Sequence, residues 1–354
     1  MINTSQLEQD GTYQDVELNG KIIVKGLCPV SCEKRWNEIK PVLRGRNVIA
    51  DIGSDSGFFT KRIANEFTTS IVLSFEQSEK ALVQKELLKA EKTKNVILFN
   101  QKFWVSEMER LAQSCEAIDT IMFLSVFHHY PPEESLKMLD LIFKNIPGLI
   151  TEHPVLNPVK DNKFPDRTDD FVQNQYSNFQ KELIKRFQRV NFLGKTTLQG
   201  VEDRVIYHSH NPHLIRPSLV SVIPDTIEYD PRKMTNKLEY WFEHWKLYRK
   251  WEPTDDDYFR PSESWKHGFS AYDAMQFNCI YPETDWWKKE SEKAYVEMIE
   301  MGLNVTEIGP TNLIFTTGGL QVVDWNHNNP HYSKKVAYKE VDKLIKFYDT
   351  KRLS

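Results

Sequence analysis

A loop containing two glycines follows an apolar run near residue 50. The segment Asp51-Ile52-Gly53-Ser54-Asp55-Ser56-Gly57-Phe58-Phe59, hereafter the glycine loop, comes directly after the residues NVIA. Glycine permits a tight turn between a strand and a helix and lets a ligand approach the main chain. An acid at the strand end, here Asp51, accepts hydrogen bonds or attracts a cationic group. The spacing D-x-G-x-x-x-G is not the G-x-G-x-x-G of nicotinamide-cofactor proteins, and it lacks a P-loop lysine, so it disfavours both functions.

A second acid ends the next apolar run. Glu76 closes the segment IVLSFE, about 20 residues beyond the glycine loop, where an acid typically hydrogen-bonds ribose hydroxyls. The alternative role for Glu76 is an exposed strand end. Gln77 follows directly and is placed to shape the same nucleoside pocket. The segment 100–103, after the third apolar run, lies where the nucleobase of such a ligand would bind. Gln101 is the candidate contact, although the sequence does not choose among the four residues.

Two adjacent histidines are candidates for proton transfer. His128 and His129 follow the apolar residues FLSVF, at the carboxyl end of the fourth predicted strand. Histidine titrates near pH 6.5, which suits a general base for an oxygen nucleophile. Because adjacent residues of a strand point to opposite faces, we expect only one of the two to reach the site. The alternative is that a histidine here packs structurally. Glu152 and His153, at the end of the fifth strand, are neighbours of this position.

Alternating strands and helices are predicted to position these residues. Five apolar segments have strand character, and amphipathic helical segments separate them. The strands are NVIADIG, SIVLSFE, NVILFNQ, DTIMFLSVFHHY and GLITEHP, and the helices are GFFTKRIANEF, SEKALVQKELLKAEKT, SEMERLAQSC and PPEESLKMLDLIFKNI. This order predicts an α/β fold: a doubly wound, Rossmann-like parallel sheet covered on both faces. The helix beginning SEKAL is expected to open with a serine cap at Ser78.

The same reading divides the chain into three parts. Residues 1–30 form an N-terminal lead, residues 31–210 form the α/β domain, and residues 211–354 form a mixed α+β extension. A helix and two strands in 178–210 are expected to complete the sheet. The extension is predicted to hold an aromatic stripe at helical spacing in 237–251, a polar loop in 254–268, a helix in 286–302 and a hairpin around Gly318.

Composition narrows the class of partner and the compartment. The net charge of −4 provides no basic field, so nucleic acid is disfavoured as a partner. Four cysteines in 354 residues do not form a disulfide scaffold, and no zinc ligand set is apparent. No apolar run approaches the roughly 20 residues needed to span a bilayer, and the polar N-terminus lacks the apolar core of a signal peptide. We therefore expect a cytoplasmic protein without a membrane span.

Taken together, these motifs resemble class I S-adenosylmethionine-dependent methyltransferases. The resemblance is carried by RWNEIKPVLRGRNVIADIGSDSGFFTKRIA, by Glu76 and by FLSVFHHY, and it covers roughly residues 30–210. It implies S-adenosylmethionine as cofactor, and His128 or His129 as the catalytic group. The cofactor-binding residues it implies are Asp51, Gly53, Ser54, Gly57, Phe58, Glu76, Gln77 and Gln101.

A closer similarity is to the kinase–methyltransferases that terminate bacterial O-antigen chains. Their L-S-V-F-H-H strand occurs here, and the C-terminal segments EIGPTNLIF and VVDW resemble a kinase catalytic loop and metal-binding turn. In that pattern Asn312 and Asp324 would hold Mg²⁺. However, Glu307 stands at the catalytic aspartate, Val305 at the expected histidine, and no nucleotide-binding glycine loop or lysine is evident in 211–290. The resemblance therefore implies a kinase-like remnant, or arises by chance.

The expected activity is O-methylation of a small molecule, a sugar, or a glycan or phosphate ester. Two alternatives remain open from the sequence. One is a kinase-like phosphotransferase with an accessory methyltransferase module, and the other is a non-catalytic protein that binds S-adenosylmethionine. No metal is expected outside the kinase-like pair Asn312 and Asp324, and neither the acceptor nor the oligomeric state is predicted.

Overall fold

The protein divides into two compact units, Met1–Ile215 and Arg216–Ser354. The computed structural model describes residues 11–27, 31–113, 118–156, 179–187, 189–198, 202–211, 248–253, 259–266, 268–300, 308–322 and 333–350. The domain limits predicted from the sequence, at residues 30 and 210, remain expectations.

A mostly parallel sheet forms the centre of the first unit. An antiparallel pair, β1 (Val16–Leu18) and β2 (Lys21–Val24), precedes it. The sheet strands are β3 (Val48–Ile52), β4 (Ile71–Glu76), β5 (Val96–Asn100), β6 (Thr120–Leu124), β7 (Gly148–Leu156), β8 (Arg189–Leu198) and β9 (Glu202–His210). Within the unit their order is β5-β4-β3-β6-β7-β9-β8, with β5 to β7 parallel and β9 antiparallel to both of its neighbours.

Helices connect the strands, as the alternation predicted. They are α1 (Cys32–Leu43), α2 (Phe58–Glu66), α3 (Ser78–Glu91), α4 (Val105–Gln113), α5 (Pro132–Asn145) and α6 (residues 179–186). Helix α1 buries Trp36, Ile39 and Leu43 at helical spacing. Strands β3 and β6 are buried at every position, and β4 and β5 at all but the last, which requires cover on both faces. The predicted doubly wound α/β class is confirmed.

The start of α3 differs from the expected serine cap. Ser78 is the first helical residue, and Gln77 occupies the cap position with an extended backbone and no side-chain cap bond. The reason is that sheet pairing continues to the end of β4, where the Gln101 amide donates to the Glu76 carbonyl at 2.8 Å. The chain therefore remains extended through Gln77.

Strand β3 lies where the order of the sheet reverses. Its neighbours are β4 on one side and β6 on the other, so the two connections leave in opposite directions. In open α/β sheets this arrangement opens a crevice at the carboxyl ends of the strands, where ligands bind. Asp119, just before β6, has a structural role. Its Oδ2 accepts from the amides of Asn47 at 2.6 Å and Val48 at 3.0 Å.

The second unit is mixed α+β. Its elements are β10 (Tyr248–Pro253), β11 (Phe259–Lys266), β12 (Phe269–Ser270), α7 (Ala271–Ala274), β13 (Cys279–Tyr281), α8 (Thr284–Glu300), β14 (Leu313–Thr316), β15 (Gly319–Val322) and α9 (Lys334–Thr350). Strands β10 and β11 form an antiparallel pair, and a three-stranded antiparallel sheet has the order β12-β14-β15.

The sequence predictions for this unit were partly wrong. The segment expected to be a polar loop contains strand β11, and the last part of the aromatic stripe is strand β10 rather than helix. Residues 248–253 pair with residues 259–266 across the two strands, and this pairing outweighs the helical spacing and the polar composition of the sequence. The rest of the stripe lies outside the described residues. The hairpin around Gly318 and a helix covering 284–300 are present. Across the described residues, no helix is long and apolar enough to cross a membrane.

Candidate functional site

A cavity of about 630 Å³ opens at the carboxyl ends of the central strands. The glycine loop and the ends of β4 and β5 supply one side. The segment after β6, the N-terminal residues Tyr13 and Gln14, and Arg204 of β9 supply the rest. The cavity therefore lies at the reversal of strand order, where the sheet topology places a ligand site.

The glycine loop has the backbone conformation that its glycines suggested. Gly53 and Gly57 have φ angles of +69° and +81°, in the left-handed region. A Cβ atom at Gly53 would lie 2.7 Å from Val126 Cγ2, and one at Gly57 would lie 2.6 Å from Gln84 Nε2. Both positions therefore require glycine on conformational and on steric grounds. Gly53 lines the cavity, whereas Gly57 faces the packing beneath the loop.

Four of the residues expected to contact the cofactor lie beneath the loop instead of at the cavity wall. They are Asp51, Ser54, Gly57 and Phe58. The Asp51 carboxylate accepts a hydrogen bond of 2.7 Å from Thr60 Oγ1, and its burial raises the pKa of that carboxyl to about 7. The Ser54 hydroxyl is bonded to Ser74 and Gln84 at 2.8 and 3.0 Å. These side chains support the loop from below.

Glu76 lies at the cavity wall, and two backbone amides hold its carboxylate. Oε2 accepts from the Asp55 amide at 2.6 Å, and Oε1 accepts from the Gln77 amide at 2.8 Å. Burial raises the pKa of this carboxyl above its ordinary value. Each carboxylate oxygen can accept two hydrogen bonds, and each has one here. The Glu76 carboxylate can therefore accept further hydrogen bonds from a ligand. Gly53, Glu76, Gln77 and Gln101, four of the residues expected to bind the cofactor, all line the cavity. We call these four residues the nucleoside wall, after that expectation.

Aromatic side chains line the cavity beyond Gln101. The rings of Phe75 and Phe103 are 5.0 Å apart in an edge-to-face arrangement, and those of Trp104 and Tyr130 are 5.5 Å apart. The Tyr130 hydroxyl donates to the Phe103 carbonyl at 2.7 Å. Lys102 Nζ lies 3.9 Å from the centre of the Trp104 ring. This end of the cavity offers flat apolar faces with polar edges, which suits a heteroaromatic base.

The histidine pair does not lie on a strand, so this part of the sequence prediction was wrong. Strand β6 ends at Leu124, and His128 and His129 belong to a 3₁₀ turn spanning Phe127–His129. The strand ends because Ser125 adopts a left-handed φ of +61°, after which the His129 amide closes the turn on the Val126 carbonyl at 2.9 Å. The expectation that the two rings point to opposite faces of a strand therefore does not apply. His129 lines the cavity and is exposed, while the His128 side chain lies outside the described part of the chain.

A polar cluster on the other side of the cavity, buried except for the half-buried Tyr13, was not predicted as a unit. It comprises Tyr13, Arg35, Ser125, Glu152 and Arg204, and we call it the arginine cluster. Arg35 and Glu152 form an ion pair of 3.0 Å, and both side chains are 0% exposed. The Ser125 hydroxyl donates to Glu152 Oε2, and Arg204 Nη1 donates to the hydroxyls of both Ser125 and Tyr13.

The cluster connects the cavity wall to the protein interior. Tyr13, Ser125 and Arg204 line the cavity, while Arg35 and Glu152 lie behind them. The guanidinium carbons of Arg35 and Arg204 lie 5.9 and 5.7 Å from the centre of the Tyr13 ring. These residues come from distant parts of the chain, and no spacing in the sequence could have joined them. Glu152 alone was noted, as a strand-end acid.

His153, the neighbour of Glu152, is held in an apolar setting. Its ring stacks on Phe179 with centroids 4.0 Å apart and an interplanar angle of 9°. Burial, with a smaller contribution from the nearby Arg204, lowers the pKa of His153 to about 3. The imidazole is therefore neutral at physiological pH, and it is not among the residues that line the cavity.

The kinase-like pair is described only in part. Asn312 is buried in a short 3₁₀ turn, Pro310–Asn312, before β14. Asp324, Val305 and Glu307 lie outside the described residues. Among the residues that are described, no group of three or more His, Cys, Asp or Glu side chains is arranged to hold a metal ion.

Comparison with known proteins gives likeness of fold only. No protein-family profile and no curated protein sequence matches the chain. Among solved structures, the bifunctional kinase-methyltransferase WbdD is similar with a TM-score of 0.46 at 16% identity, over 97% of this chain and 87% of that chain. The N-terminal domain of EvdMO1, solved in the presence of SAH and D-fucose, gives 0.44 at 13% identity, over 59% and 94%. The mitomycin 7-O-methyltransferase MmcR gives 0.36 at 14% identity, over 50% and 54%. The chain shares with these proteins a mixed α/β fold around a mostly parallel sheet.

Proposed function

We propose that the protein is an S-adenosylmethionine-dependent methyltransferase. The observation that carries this proposal is the position of Glu76: a carboxylate at the end of β4, held by the Asp55 and Gln77 amides and facing a cavity at the reversal of strand order. An acid in this place is suited to accept hydrogen bonds from both hydroxyls of a ribose. The glycine loop beside it brings bare backbone to the same cavity.

The nucleoside wall fits an adenosyl ligand along its length. Glu76 and Gln77 would hold the ribose, and Gln101 with the aromatic end of the cavity would hold the adenine. Gly53 lines the same cavity and presents bare backbone to it, and a Cβ atom at this position would meet Val126 at 2.7 Å. Asp51, Ser54, Gly57 and Phe58 would support binding indirectly, by fixing the loop from beneath.

The remaining part of the cavity would hold the methyl acceptor. When bound, S-adenosylmethionine supplies an electrophilic methyl group on a sulfonium sulfur. The protein then has to align the acceptor with that methyl group and to exclude water. Tyr13, Ser125 and Arg204 present hydrogen-bonding groups there, which suits an oxygen-rich acceptor: a small molecule, a sugar, or a glycan or phosphate ester. His129 would take the proton of an acceptor hydroxyl, with His128 as the alternative.

Calorimetric titration tests the cofactor class. We expect S-adenosylmethionine and S-adenosylhomocysteine to bind with micromolar or tighter affinity, and NAD and Mg²⁺-ATP not to bind. Glu76→Gln should weaken both adenosyl ligands about 10- to 100-fold, because a hydrogen bond to a charged group contributes about 1.5–3 kcal/mol. Glu79→Gln is the matched control, because it makes the same charge change at an exposed site in the first turn of α3.

The same titration separates the competing functions. Binding of Mg²⁺-ATP that Asp324→Ala removes, without binding of either adenosyl ligand, would overturn the proposal in favour of a phosphotransferase. A non-catalytic binding protein is tested by turnover. We expect release of S-adenosylhomocysteine from S-adenosylmethionine with at least one member of a panel of hydroxylated small molecules, sugars and sugar phosphates, and a loss of that release in His129→Gln.

A further inference from the structure

Asp55 connects the glycine loop to three other parts of the first unit. Its amide donates to Glu76 Oε2 at 2.6 Å, and its Oδ2 accepts from the Gln14 amide at 2.7 Å. Its Oδ1 forms an ion pair of 2.5 Å with Lys80 on α3. Asp55 itself is buried and lines the cavity. One residue thus joins the N-terminal segment, the acid of the nucleoside wall and the following helix.

The backbone conformation of Asp55 is unusual for a residue with a side chain. Its φ angle is +53°, in the left-handed region, which disfavours residues other than glycine, although aspartate and asparagine enter it more readily than most. Such a conformation persists only where the surrounding contacts impose it. Here those contacts are the hydrogen bonds to Gln14 and Glu76, and the strained residue lies beside the proposed ribose site.

Gln14 fastens the N-terminal segment to the glycine loop at two points. Besides the amide bond to Asp55, its side-chain Oε1 accepts from the Phe58 amide at 3.2 Å. Phe58 is the first residue of α2, and amides in a helix's first turn have no partner within the helix. Gly26 packs directly over this residue, since a Cβ there would lie 2.4 Å from the Gln14 carbonyl carbon. The segment around Gln14 is therefore seated on the loop through specific contacts.

We propose that Asp55 and Gln14 are positioning residues for Glu76. Gln14 holds the Asp55 carboxylate and the start of α2, and the Asp55 amide in turn fixes Glu76 Oε2 so that the carboxylate presents its remaining acceptor capacity to the ribose. The inference rests on the proposed function, since it concerns how the same site recognises its cofactor. It assigns a role in the site to a segment that the sequence analysis treated as an N-terminal lead.

Two substitutions at Asp55 separate its side chain from its backbone. Asp55→Asn keeps an oxygen that can accept from the Gln14 amide, and asparagine tolerates a left-handed φ. Asp55→Gly keeps the left-handed backbone at no steric cost but removes the acceptor. Both variants lose the ion pair with Lys80, whose side chain is 43% exposed, so that loss is common to the two.

The readout is discrimination between S-adenosylhomocysteine and its 2′-deoxyribose analogue, measured by calorimetry. We expect the wild-type protein to prefer the natural ligand by about tenfold or more, and Glu76→Gln to reduce that ratio, as expected for a hydrogen bond to a charged group. Asp55→Gly should bring the ratio to within about threefold, whereas Asp55→Asn should retain most of it. Gln14→Met removes the side-chain acceptor of the Phe58 amide at similar volume but keeps the backbone amide that donates to Asp55, so it should reduce the ratio less than Asp55→Gly does. Thermal unfolding of each variant verifies that it is folded.

The outcomes distinguish this inference from the function on which it rests. If the wild-type protein binds neither ligand, the proposed function fails. If the wild-type protein discriminates and Glu76→Gln does not, while Asp55→Gly weakens both ligands equally or leaves both unchanged, only the positioning role is overturned. A ratio that falls in Asp55→Gly and is rescued in Asp55→Asn supports it.

Discussion

The two sides of the cavity are held in place by different kinds of contact. The nucleoside wall comes from one stretch of the chain, residues 53–101, and uses backbone amides to hold Glu76. The arginine cluster joins residues as far apart as Tyr13 and Arg204, a separation of 191 positions, and relies on side chains alone. The wall therefore depends on local chain geometry, while the cluster depends on the completed fold.

This difference predicts how each side responds to substitution. A contact made by a backbone amide survives a change of side chain as long as the backbone keeps its position, whereas each member of a buried charged cluster is needed to compensate the others. We expect substitutions in the arginine cluster to reduce stability, and substitutions of the Glu76, Gln77 and Gln101 side chains to reduce affinity at nearly unchanged stability. Gly53 is the exception on the nucleoside wall, because its left-handed φ and its approach to Val126 restrict the position to glycine. The predictions below test that contrast.

The largest effect is expected from breaking the buried ion pair. Arg35→Met leaves the Glu152 carboxylate buried without its cation, which should lower the free energy of unfolding by about 3–5 kcal/mol in urea titrations. The double variant Arg35→Met/Glu152→Leu should be more stable than the single variant, because it removes the stranded charge. A single variant within about 1 kcal/mol of wild type would contradict a compensating role for this pair.

A pH dependence of stability should follow from Asp51. Its pKa is raised from 3.8 to about 7 by burial, so between these values the folded protein holds a proton that the unfolded chain has released. The folded state is therefore favoured at the acid end of this window and loses that advantage as pH rises toward 7. Each pKa unit between the folded and unfolded values corresponds to about 1.4 kcal/mol.

Urea unfolding of wild type and Asp51→Asn at about pH 5 and about pH 8 measures this effect, since asparagine does not titrate. The stability of wild type relative to the variant should decrease from the lower to the higher pH. A difference that stays constant, or that increases with pH, would show that Asp51 is ionised in the folded protein below pH 7.

Gly53 offers a test on the wall itself. Gly53→Ala should lower stability by about 1–3 kcal/mol, from the left-handed φ and from the 2.7 Å approach to Val126. Gly45→Ala is the matched control, because Gly45 has a similar φ of +77° and nothing within 4 Å of its would-be Cβ. The loss beyond that of Gly45→Ala should shrink when Val126→Ala is added. Equal losses in the two single variants would remove the steric argument at Gly53.

The smallest effect is expected at Lys102, an exposed residue that lines the cavity. Lys102 lies over the Trp104 ring, and exposed cation–π contacts contribute about 0.5–1 kcal/mol. Lys102→Met should therefore change stability by no more than this amount, while altering the change in tryptophan fluorescence that S-adenosylhomocysteine causes, because Trp104 lines the cavity. A loss of stability as large as that of Arg35→Met would contradict the description of Lys102 as an exposed residue with one cation–π contact.

Much of the first unit could be predicted because its signals are local. The apolar runs that became β3 to β7, and the amphipathic segments between them, carry their periodicity within ten residues or so. The end of β6 could not be predicted, because the left-handed conformation of Ser125 depends on contacts with Glu152, 27 residues away. Strand β11 was missed for a similar reason, since its pairing with β10 overrides a polar composition.

The site divides in the same way. Gly53, Glu76, Gln77 and Gln101 were placed together by the rule that strand ends of a parallel sheet share one edge. Whether a loop residue faces the cavity or the packing below it, as for Asp51 and Ser54, is decided by side chains such as Thr60 and Gln84 on following helices. Predicting the arginine cluster would have required the positions of five separate segments in the folded protein, and residue spacing in the sequence does not give those positions.

The most direct test of the account is a crystal structure of the protein with S-adenosylhomocysteine. The account predicts both ribose hydroxyls within hydrogen-bonding distance of the Glu76 carboxylate, the adenine beside Gln101, and the homocysteine portion over Gly53. A nucleoside bound away from Glu76, or a cavity that remains closed to it at saturating concentration, would contradict the proposed function.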